Sequence, residues 1–290
     1  KLQFNDNPDL DTIYGNDEDA RLQSDKGKIR PGYNVQTIVD NKNKLIVGND
    51  VTNEANDQHQ MTPMLDQLEN TKKALNIENK TDSTLDLGYN NEVEILKNIE
   101  RENINIIVPV KTNSKNKNTN KKSPDKVPVK GFELEDFKYD SEKKVFYCPA
   151  GNMMNRTTPN PIIEASGRQV YRYQCSECDN CPNKPKCCKG EQGRTIRISA
   201  NKDKIDNFNK EMGTDEKKEL INRRKEIVEH PFGTIKRNLG YTYFLLKGKD
   251  KVKSEFSFIC FAYNFKRVLN ILGTNGFIAA LKQKKSVLVG

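Results

Sequence analysis

The chain has 290 residues, of which 34% are hydrophobic and 31% charged, and its formal net charge is +9. That length allows one large domain or two small ones, and no apolar run approaches the roughly 18 residues that a membrane span needs. The charge is uneven, because residues 1–100 carry −8 and the remaining residues +17. A basic half beside an acidic half favours a polyanion partner, and a solvated, Lys-rich surface is the alternative.

The N-terminal third predicts an α/β domain. Residues 1–31 are a polar lead-in segment, and residues 32–110 alternate between strand and helix patterns. The predicted elements are strands at 33–39 and 45–47, a helix at 62–75, a buried strand at 84–88, a helix capped by Asn90 or Asn91, and a strand at 105–110. This order indicates a sheet with a hairpin on one side and crossover helices on the other.

The middle of the chain changes in composition. Residues 111–130 hold seven Lys and one acidic residue, which predicts a flexible basic linker. Residues 131–200 form a Cys-rich insert, with six of the seven Cys between Cys148 and Cys188. An odd, clustered count is typical of a reduced, cytoplasmic compartment rather than of a disulfide framework.

The last part, residues 201–290, is predicted to be helical. A long helix covers 202–237, and an apolar helix covers 256–272. The apolar residues of the second helix are predicted to lie in the core; they are Phe256, Phe258, Ile259, Cys260 and Phe261.

Two carboxylates far apart in sequence are candidate site residues. Asp86 lies at the C-terminal end of a predicted strand, where α/β sheets tend to place ligands. Glu229 lies on a basic predicted helix, and such a pair can hold magnesium ions that activate a nucleophile and stabilise a leaving oxygen. The cations around Glu229, which suit phosphate groups, are Arg224, Lys225, Lys236 and Arg237. Chemistry alone does not separate these residues from ordinary surface groups.

Five motifs occur in order along the chain. They are Gly-Tyr-Asn-Val-Gln-Thr-Ile-Val-Asp (32–40), Val-Thr-Asn-Glu-Ala-Asn-Asp (51–57), Leu-Asp-Leu-Gly-Tyr (85–89), Val-Glu-His-Pro-Phe-Gly-Thr-Ile-Lys-Arg (228–237) and Ala-Tyr-Asn-Phe-Lys-Arg (262–267). Together they resemble the DDE transposases of bacterial insertion sequences. The segment Asp17-Glu18-Asp19-Ala20-Arg21 is similar to that family's Asp-Pro-Asp-Ala-Arg, with Glu18 in place of the Pro.

The resemblance implies a ribonuclease-H-like mixed sheet with flanking helices, interrupted by a small zinc-ribbon-like insert. It also implies metal-dependent cleavage and strand transfer on double-stranded DNA, by a homodimer associated with the bacterial nucleoid. In this family Asp86 matches the second acidic ligand and Glu229 the third, for magnesium or manganese. Lys236 matches the Lys two turns beyond the Glu. Pro231 and Gly233 predict that the helix kinks or restarts just after Glu229.

The family's first Asp, which sits in an Asp-Gly-Thr-like segment on the first strand, has no counterpart between Lys1 and Gly32. Asp40 is nearby, but a hairpin turn explains an Asp there. The chain begins at Lys1 without an initiator Met, so we expect a truncated product whose first strand and first ligand lie upstream. We therefore expect an open edge on the strand at 33–39, and a chain that does not cleave DNA by itself.

The Cys-rich insert predicts a structural zinc site. Cys148, Cys178, Cys181 and Cys187 supply four soft ligands from two turns, and they also match the Cys pattern of an insert in relatives. Cys175 and Cys188 are then spare. Such a site folds the insert and leaves no open position for catalysis. A metal-free reduced cluster and an iron–sulfur cluster are the alternatives.

Three functions are therefore weighed from the sequence. The first is a DNA transposase. The second is a catalytically inactive, truncated remnant that only binds DNA. The third is a zinc-dependent interaction module without a DNA role, and the basic helix around Glu229 argues against it.

Overall fold

The structure is a computed structural model, and it describes residues 17–25, 28–110, 131–188 and 193–288. The chain divides into two compact units. The first joins Lys1–Val110 to Met212–Gly290, and the second is Lys111–Glu211. The predicted basic linker, residues 111–130, lies outside the described residues. No helix in the described part of the chain is long and apolar enough to cross a membrane.

The first unit begins with three two-stranded sheets. The elements are β1 (Arg21–Asp25), β2 (Lys28–Gly32), β3 (Asn34–Val39), β4 (Ile46–Thr52), α1 (Met61–Ala74), β5 (Thr81–Thr84), a 3-10 turn (Leu87–Tyr89), α2 (Glu92–Asn98) and β6 (Ile104–Ile107). β1–β2 and β3–β4 are antiparallel, whereas β5–β6 is parallel. From β3 onward the predicted order of strands and helices is confirmed, and the architecture is mixed α/β.

Local signals account for most of these elements. Helix α1 buries Met64, Leu65 and Leu68, which recur at helical spacing. The side chain of Asn91 accepts the backbone N–H groups of two residues in the first turn of α2, as an N-cap does. Asp40 accepts the backbone N–H of Asn43 in the β3–β4 turn, which confirms its expected turn role. Near the N-terminus, the β1–β2 hairpin forms in a segment where the sequence showed no periodicity.

The helices that follow the Cys-rich segment differ from the prediction. Helix α5 (Asp215–Gly233) is separate from α4 (Lys202–Met212), so the predicted helix over 202–237 is interrupted. The helix does not restart just after Glu229, so that part of the prediction is wrong. The α-helix continues through Pro231 to Gly233 and then winds as a π-helix over Thr234–Asn238.

Helix α6 (Lys249–Leu288) supplies one side of the main core and changes direction at Gly273, whose φ is 69°. Its buried face is spaced by three and four residues. That face packs on β4 and consists of Val252, Phe256, Ile259, Cys260 and Tyr263. Phe258 and Phe261 lie off this face and are 75% and 66% exposed, so their prediction as core residues is wrong.

The outer edge of β4 is closed by one side chain of α6. The amide of Asn264 donates from Nδ2 to the Ile46 carbonyl at 2.7 Å, and its Oδ1 accepts the Ile46 N–H at 2.8 Å. Nearby, Arg267 donates to the Asn43 carbonyl and Tyr263 to the Lys44 carbonyl. The motif at 262–267 therefore anchors the hairpin to the helix.

Replacing Asn264 with Ala is expected to lower the free energy of unfolding by about 1–3 kcal/mol, because two backbone groups of Ile46 lose their partner. Urea denaturation followed by circular dichroism measures this. Asn270→Ala is the matched control, since Asn270 is exposed on the same helix. Equal losses in the two variants would show that the Asn264 amide adds nothing to the stability of the β4 edge.

The segment Asp17–Arg21 has a structural role at the start of α6. Asp17 Oδ1 accepts the backbone N–H of Gly248 at 3.1 Å and the Tyr33 hydroxyl at 2.7 Å. Asp19 Oδ2 accepts the backbone N–H of Lys249 at 2.8 Å. Carboxylates at a helix N-terminus satisfy free N–H groups and favour the helix dipole, so this segment stabilises α6.

The second unit is a small antiparallel sheet with a core of its own. Its strands are β7 (Lys138–Asp140), β8 (Val145–Tyr147), β9 (Met153–Arg156), β10 (Ile162–Ile163), β11 (Gln169–Cys175) and β12 (Thr195–Ser199), with a short helix α3 (Lys184–Cys187). They pair in the order β10-β11-β9-β8-β7, and β12 also pairs with β11. Phe137, Phe146, Met154, Tyr173 and Ile196 are buried between them.

Candidate functional site

Asp86 lies just beyond the C-terminal end of β5. The parallel ladder with β6 extends one residue further, because the Leu85 N–H donates to the Ile107 carbonyl at 2.8 Å. The chain then turns, and Asp86 caps the 3-10 turn Leu87–Tyr89 by accepting the Leu87 N–H. The strand predicted at 84–88 lies instead at Thr81–Thr84, and Asp86 sits just beyond its C-terminal end, as predicted.

Helix α5 brings a guanidinium to this carboxylate. Arg224 Nη2 lies 3.1 Å from Asp86 Oδ2, across 138 positions of sequence. The Arg224 side chain is 17% exposed and that of Asp86 is 52% exposed, so the ion pair lies at the mouth of the site. Arg224 was predicted to contact DNA; here its guanidinium pairs with Asp86, and a contact with DNA stays a prediction.

A second carboxylate, Asp57, lies beside the same turn and was not singled out from the sequence. Its Oδ1 accepts Nδ2 of Asn34 and Nε2 of Gln36, both at 2.7 Å. Tyr89 donates its hydroxyl to Gln36 Oε1. Burial raises the pKa of Tyr89, and the charges of Asp57 and Asp86 raise it further. Asp57, Gln36 and Tyr89 therefore link β3 to the turn that presents Asp86.

A Cβ at Gly88 would meet Asp57 Oδ2 at 2.8 Å, so a side chain there would displace the carboxylate. This close approach explains the Gly of the Leu-Asp-Leu-Gly-Tyr motif. The signal available in the sequence was the Asp at the end of the 51–57 motif. No role for Asp57 was apparent from the sequence, because its connection to Asp86 through Gln36 and Tyr89 depends on the tertiary structure.

Glu229 lies on α5, five residues beyond Arg224, and is exposed. It does not line the cavity that Asp86 and Arg224 line. Lys225, Lys236 and Arg237 are exposed as well. The π-helical turn changes the register before Lys236, so the two-turn spacing from Glu229 to Lys236 is not that of a regular α-helix.

His230, next to Glu229, has a structural contact. Its Nδ1 lies 3.0 Å from the Tyr263 hydroxyl, which itself donates to the Lys44 carbonyl at 2.6 Å. Because that hydroxyl hydrogen is used, Nδ1 of His230 is the donor. Burial lowers the pKa of His230, and the charges of Arg267 and Lys44 lower it further.

Six cysteines of the second unit surround one small cavity. They are Cys148, Cys175, Cys178, Cys181, Cys187 and Cys188. The cavity volume is about 10 Å³, close to the space of one water-sized sphere. The four predicted zinc ligands are therefore brought together, and the two spare cysteines come with them.

Cys178 is at the centre of this cluster. Its thiol contacts those of Cys175 and Cys188, and its Sγ lies 3.5 Å from the backbone N of Arg194, which donates to it. Burial raises the pKa of Cys175 to about 12 and also raises the pKa of Cys187. As the side chains stand, no group of three or more His, Cys, Asp or Glu among the described residues has a metal-binding arrangement.

Residues 147–269 match the family model described as "Transposase DDE domain". No curated protein and no solved structure matches this chain. The matched segment contains Glu229 and the Cys cluster, whereas Asp86 lies outside it. The resemblance to DDE transposases drawn from the sequence is thereby confirmed over residues 147–269, which match a transposase DDE domain.

Proposed function

We propose that the protein catalyses DNA cleavage and strand transfer as the transposase of a bacterial insertion sequence, acting as a homodimer on double-stranded DNA. The observation that carries this is the transposase DDE domain match over residues 147–269. A ribonuclease-H-like core is supported by the antiparallel β3–β4 pair followed by the parallel β5–β6 pair, with helices between them. In this proposal Asp86 and Glu229 are the catalytic carboxylates.

The residues around Asp86 suit a hard divalent cation. Its carboxylate is half exposed, and a divalent cation there would share it with the Arg224 guanidinium, which contacts Oδ2. Asp57 lines the same cavity and adds a second carboxylate. Oxygen ligands of this kind are those that magnesium and manganese prefer. When bound, the ions would activate the attacking oxygen and stabilise the leaving one. Asp86 would hold the cation, and Gln36 and Tyr89 would keep its turn in place.

The alternative is a chain that binds DNA without cutting it. Supercoiled plasmid is incubated with the chain, and with an N-terminally extended version, in magnesium and in manganese. Metal-dependent nicking or joining by either protein supports the transposase. Binding by both proteins without cleavage by either favours the alternative. Robust cleavage by the 290-residue chain, abolished by Asp40→Ala, would show that Asp40 is the first ligand.

DNA binding is expected to be independent of sequence and steeply salt-dependent, because each cation that neutralises a phosphate releases a counterion. Lys225→Gln, Lys236→Gln and Arg237→Gln should each reduce the slope of log K against log salt by about 1. Fluorescence anisotropy with a labelled duplex at several salt concentrations measures this. Lys73→Gln, an exposed change on α1, is the control. Binding that is unchanged from low to moderate salt would refute the electrostatic interpretation.

We also propose that the Cys cluster holds one structural zinc ion through Cys148, Cys178, Cys181 and Cys187. Support comes from the position of these thiols around one small cavity and from the backbone N–H that donates to Cys178. The thiols would have to move closer together to hold the ion, because among the described residues no group of three is arranged for a metal as the side chains stand. Zinc accepts four thiolates in tetrahedral geometry. Since its hydrophobic cluster is small, we expect the second unit to depend on this ion for folding.

A further inference from the structure

Two arginines lie directly opposite each other on neighbouring strands of the second unit. Arg172 of β11 pairs with Arg197 of β12 in the antiparallel ladder. Three residues along this ladder, the Ala200 N–H donates to the Gln169 carbonyl. Since hydrogen-bonded pairs alternate with pairs that are not, the two arginines form a non-hydrogen-bonded pair. In such pairs the Cα atoms are only about 4.5 Å apart, and the side chains lie close together.

Both arginine side chains lie on the face of the sheet that is turned away from the core of the second unit. Their strand neighbours Tyr173 and Ile196 are buried in that core. Successive side chains of a strand point to opposite faces, so Arg172 and Arg197 point the other way. The Arg197 side chain is 63% exposed, and a ligand in solvent can therefore reach it.

The charges of this pair are incompletely balanced. Like charges directly opposite each other destabilise a sheet. Glu164 Oε1 accepts from Arg197 Nη1 at 3.2 Å, and among the described residues this carboxylate is paired with Arg197 and not with Arg172. The Nε of Arg172 is buried and has no hydrogen-bond partner in the described part of the chain. A buried donor without an acceptor costs free energy, so an anion that accepts from both guanidinium groups would stabilise these strands.

The chemistry of two guanidinium groups favours a phosphate as that anion. Each guanidinium is a planar fork of N–H donors that matches the oxygens of a phosphate group. The unit that carries the pair, Lys111–Glu211, is also basic, with 21 Lys and Arg against 13 Asp and Glu. A basic unit of this kind attracts a polyanion more strongly than a single small anion.

We propose that Arg172 and Arg197 form a phosphate-binding site on the second unit, and that the phosphate belongs to the backbone of DNA. The Cys-rich unit would then hold DNA itself, through residues other than the cations around Glu229. The choice of DNA rests on the proposed function, whereas the phosphate site rests on the two strands alone. Glu164 competes with the phosphate for Arg197.

The first test is the binding of inorganic phosphate to the whole, reduced protein, measured by isothermal titration calorimetry at constant ionic strength. Arg197→Gln is expected to weaken binding at least about tenfold, because a hydrogen bond to a charged group is lost. Glu164→Gln removes the competing carboxylate and is expected to tighten binding about two- to fivefold. Lys143→Gln, an exposed change in the β7–β8 turn, is the control.

The two variants distinguish a ligand site from an ordinary surface ion pair. Both break the contact between Arg197 and Glu164, so a purely structural pair predicts the same effect from each. The phosphate site predicts opposite shifts in affinity. It also predicts that phosphate at ten times its Kd slows hydrogen exchange in β11 and β12 by about tenfold. Absence of phosphate binding, or equal shifts in the two variants, would overturn the proposal.

The second test identifies the source of the phosphate, by fluorescence anisotropy with a labelled duplex at several salt concentrations. Arg197→Gln should reduce the slope of log K against log salt by about 1, and Lys143→Gln should not change it. An unchanged slope in a variant that has lost phosphate binding would overturn DNA as the ligand and identify free phosphate instead. Cleavage is scored separately. If both shifts occur in a protein that cuts no DNA, the proposed function fails and the phosphate site stands.

Discussion

Asp86→Asn is expected to lower metal-dependent DNA cleavage by a factor on the order of 10²–10³, in whichever form of the protein cleaves. The neutral amide keeps the shape of the side chain and removes the charge that would hold the cation. DNA affinity should not fall, because the change removes a negative charge and leaves every cation proposed to contact phosphate in place. Single-turnover cleavage of a labelled duplex measures the rate. Asp250→Asn, at an exposed position of α6, is the control.

A closely matched control for a Glu229 variant lies on the same helix. Glu226 is also exposed, three residues earlier, and is not a proposed ligand. Glu229→Gln is expected to lose cleavage to the same extent as Asp86→Asn, whereas Glu226→Gln should retain it. This comparison matters because Glu229 does not line the cavity that holds Asp86. If the two Glu variants behave alike, Glu229 is not a ligand and the carboxylate pair must be sought elsewhere, with Asp57 first.

Removing zinc is expected to unfold the Cys-rich unit while the first unit stays folded. Binding of zinc to four thiolates contributes on the order of 10–16 kcal/mol in small metal-dependent modules, which exceeds the stability that a sheet of this size gains by packing. Metal analysis of the purified, reduced protein should give about one zinc per chain. Titration with a chelator should then abolish protection from hydrogen exchange in β8, β9 and β11 but not in β4 or α6.

Single substitutions to Ser distinguish the four proposed zinc ligands from the two other cysteines of the cavity. Cys178→Ser should lose the zinc, and the same holds for Cys148, Cys181 and Cys187. Cys175→Ser and Cys188→Ser are matched controls from the same cavity and should retain it. Loss of zinc from either control would revise the ligand set. If the reduced protein contains no zinc and its second unit is nevertheless folded, the cysteines form a metal-free thiol cluster.

The helical stripe of α1 and the N-cap at Asn91 were predictable because each depends on residues within a few positions of one another. The same holds for the turn at Asp40. The end of α5 was predicted wrongly from local rules. Pro231 and Gly233 are poor helix residues, yet Ile235 packs in the core beside α6, and this packing holds the chain in a helical path.

In the candidate site, too, some features were predictable from the sequence and others were not. Asp86 was placed correctly at a strand end, since a short apolar run followed by Gly is a local signal. Its ion pair with Arg224 and its link to Asp57 through Tyr89 and Gln36 join helix α5, the 3-10 turn, strand β3 and the loop before α1. Spacing along the chain carries no information about such contacts, because periodicity reports which face of an element is buried and not what covers it.

By itself, the sequence determined the α/β order of the first unit, the clustering of cysteines and the resemblance to DDE transposases. Only the tertiary structure decided that Arg224 neutralises Asp86 and that all six clustered cysteines surround one cavity. It also showed that β3 and β5, each paired with a single strand among the described residues, line the same cavity. The physical reason is that hydrophobic pattern and capping act over one or two turns. Pairing of edges and charges depends on how elements pack, and that follows from the shapes of all the faces together.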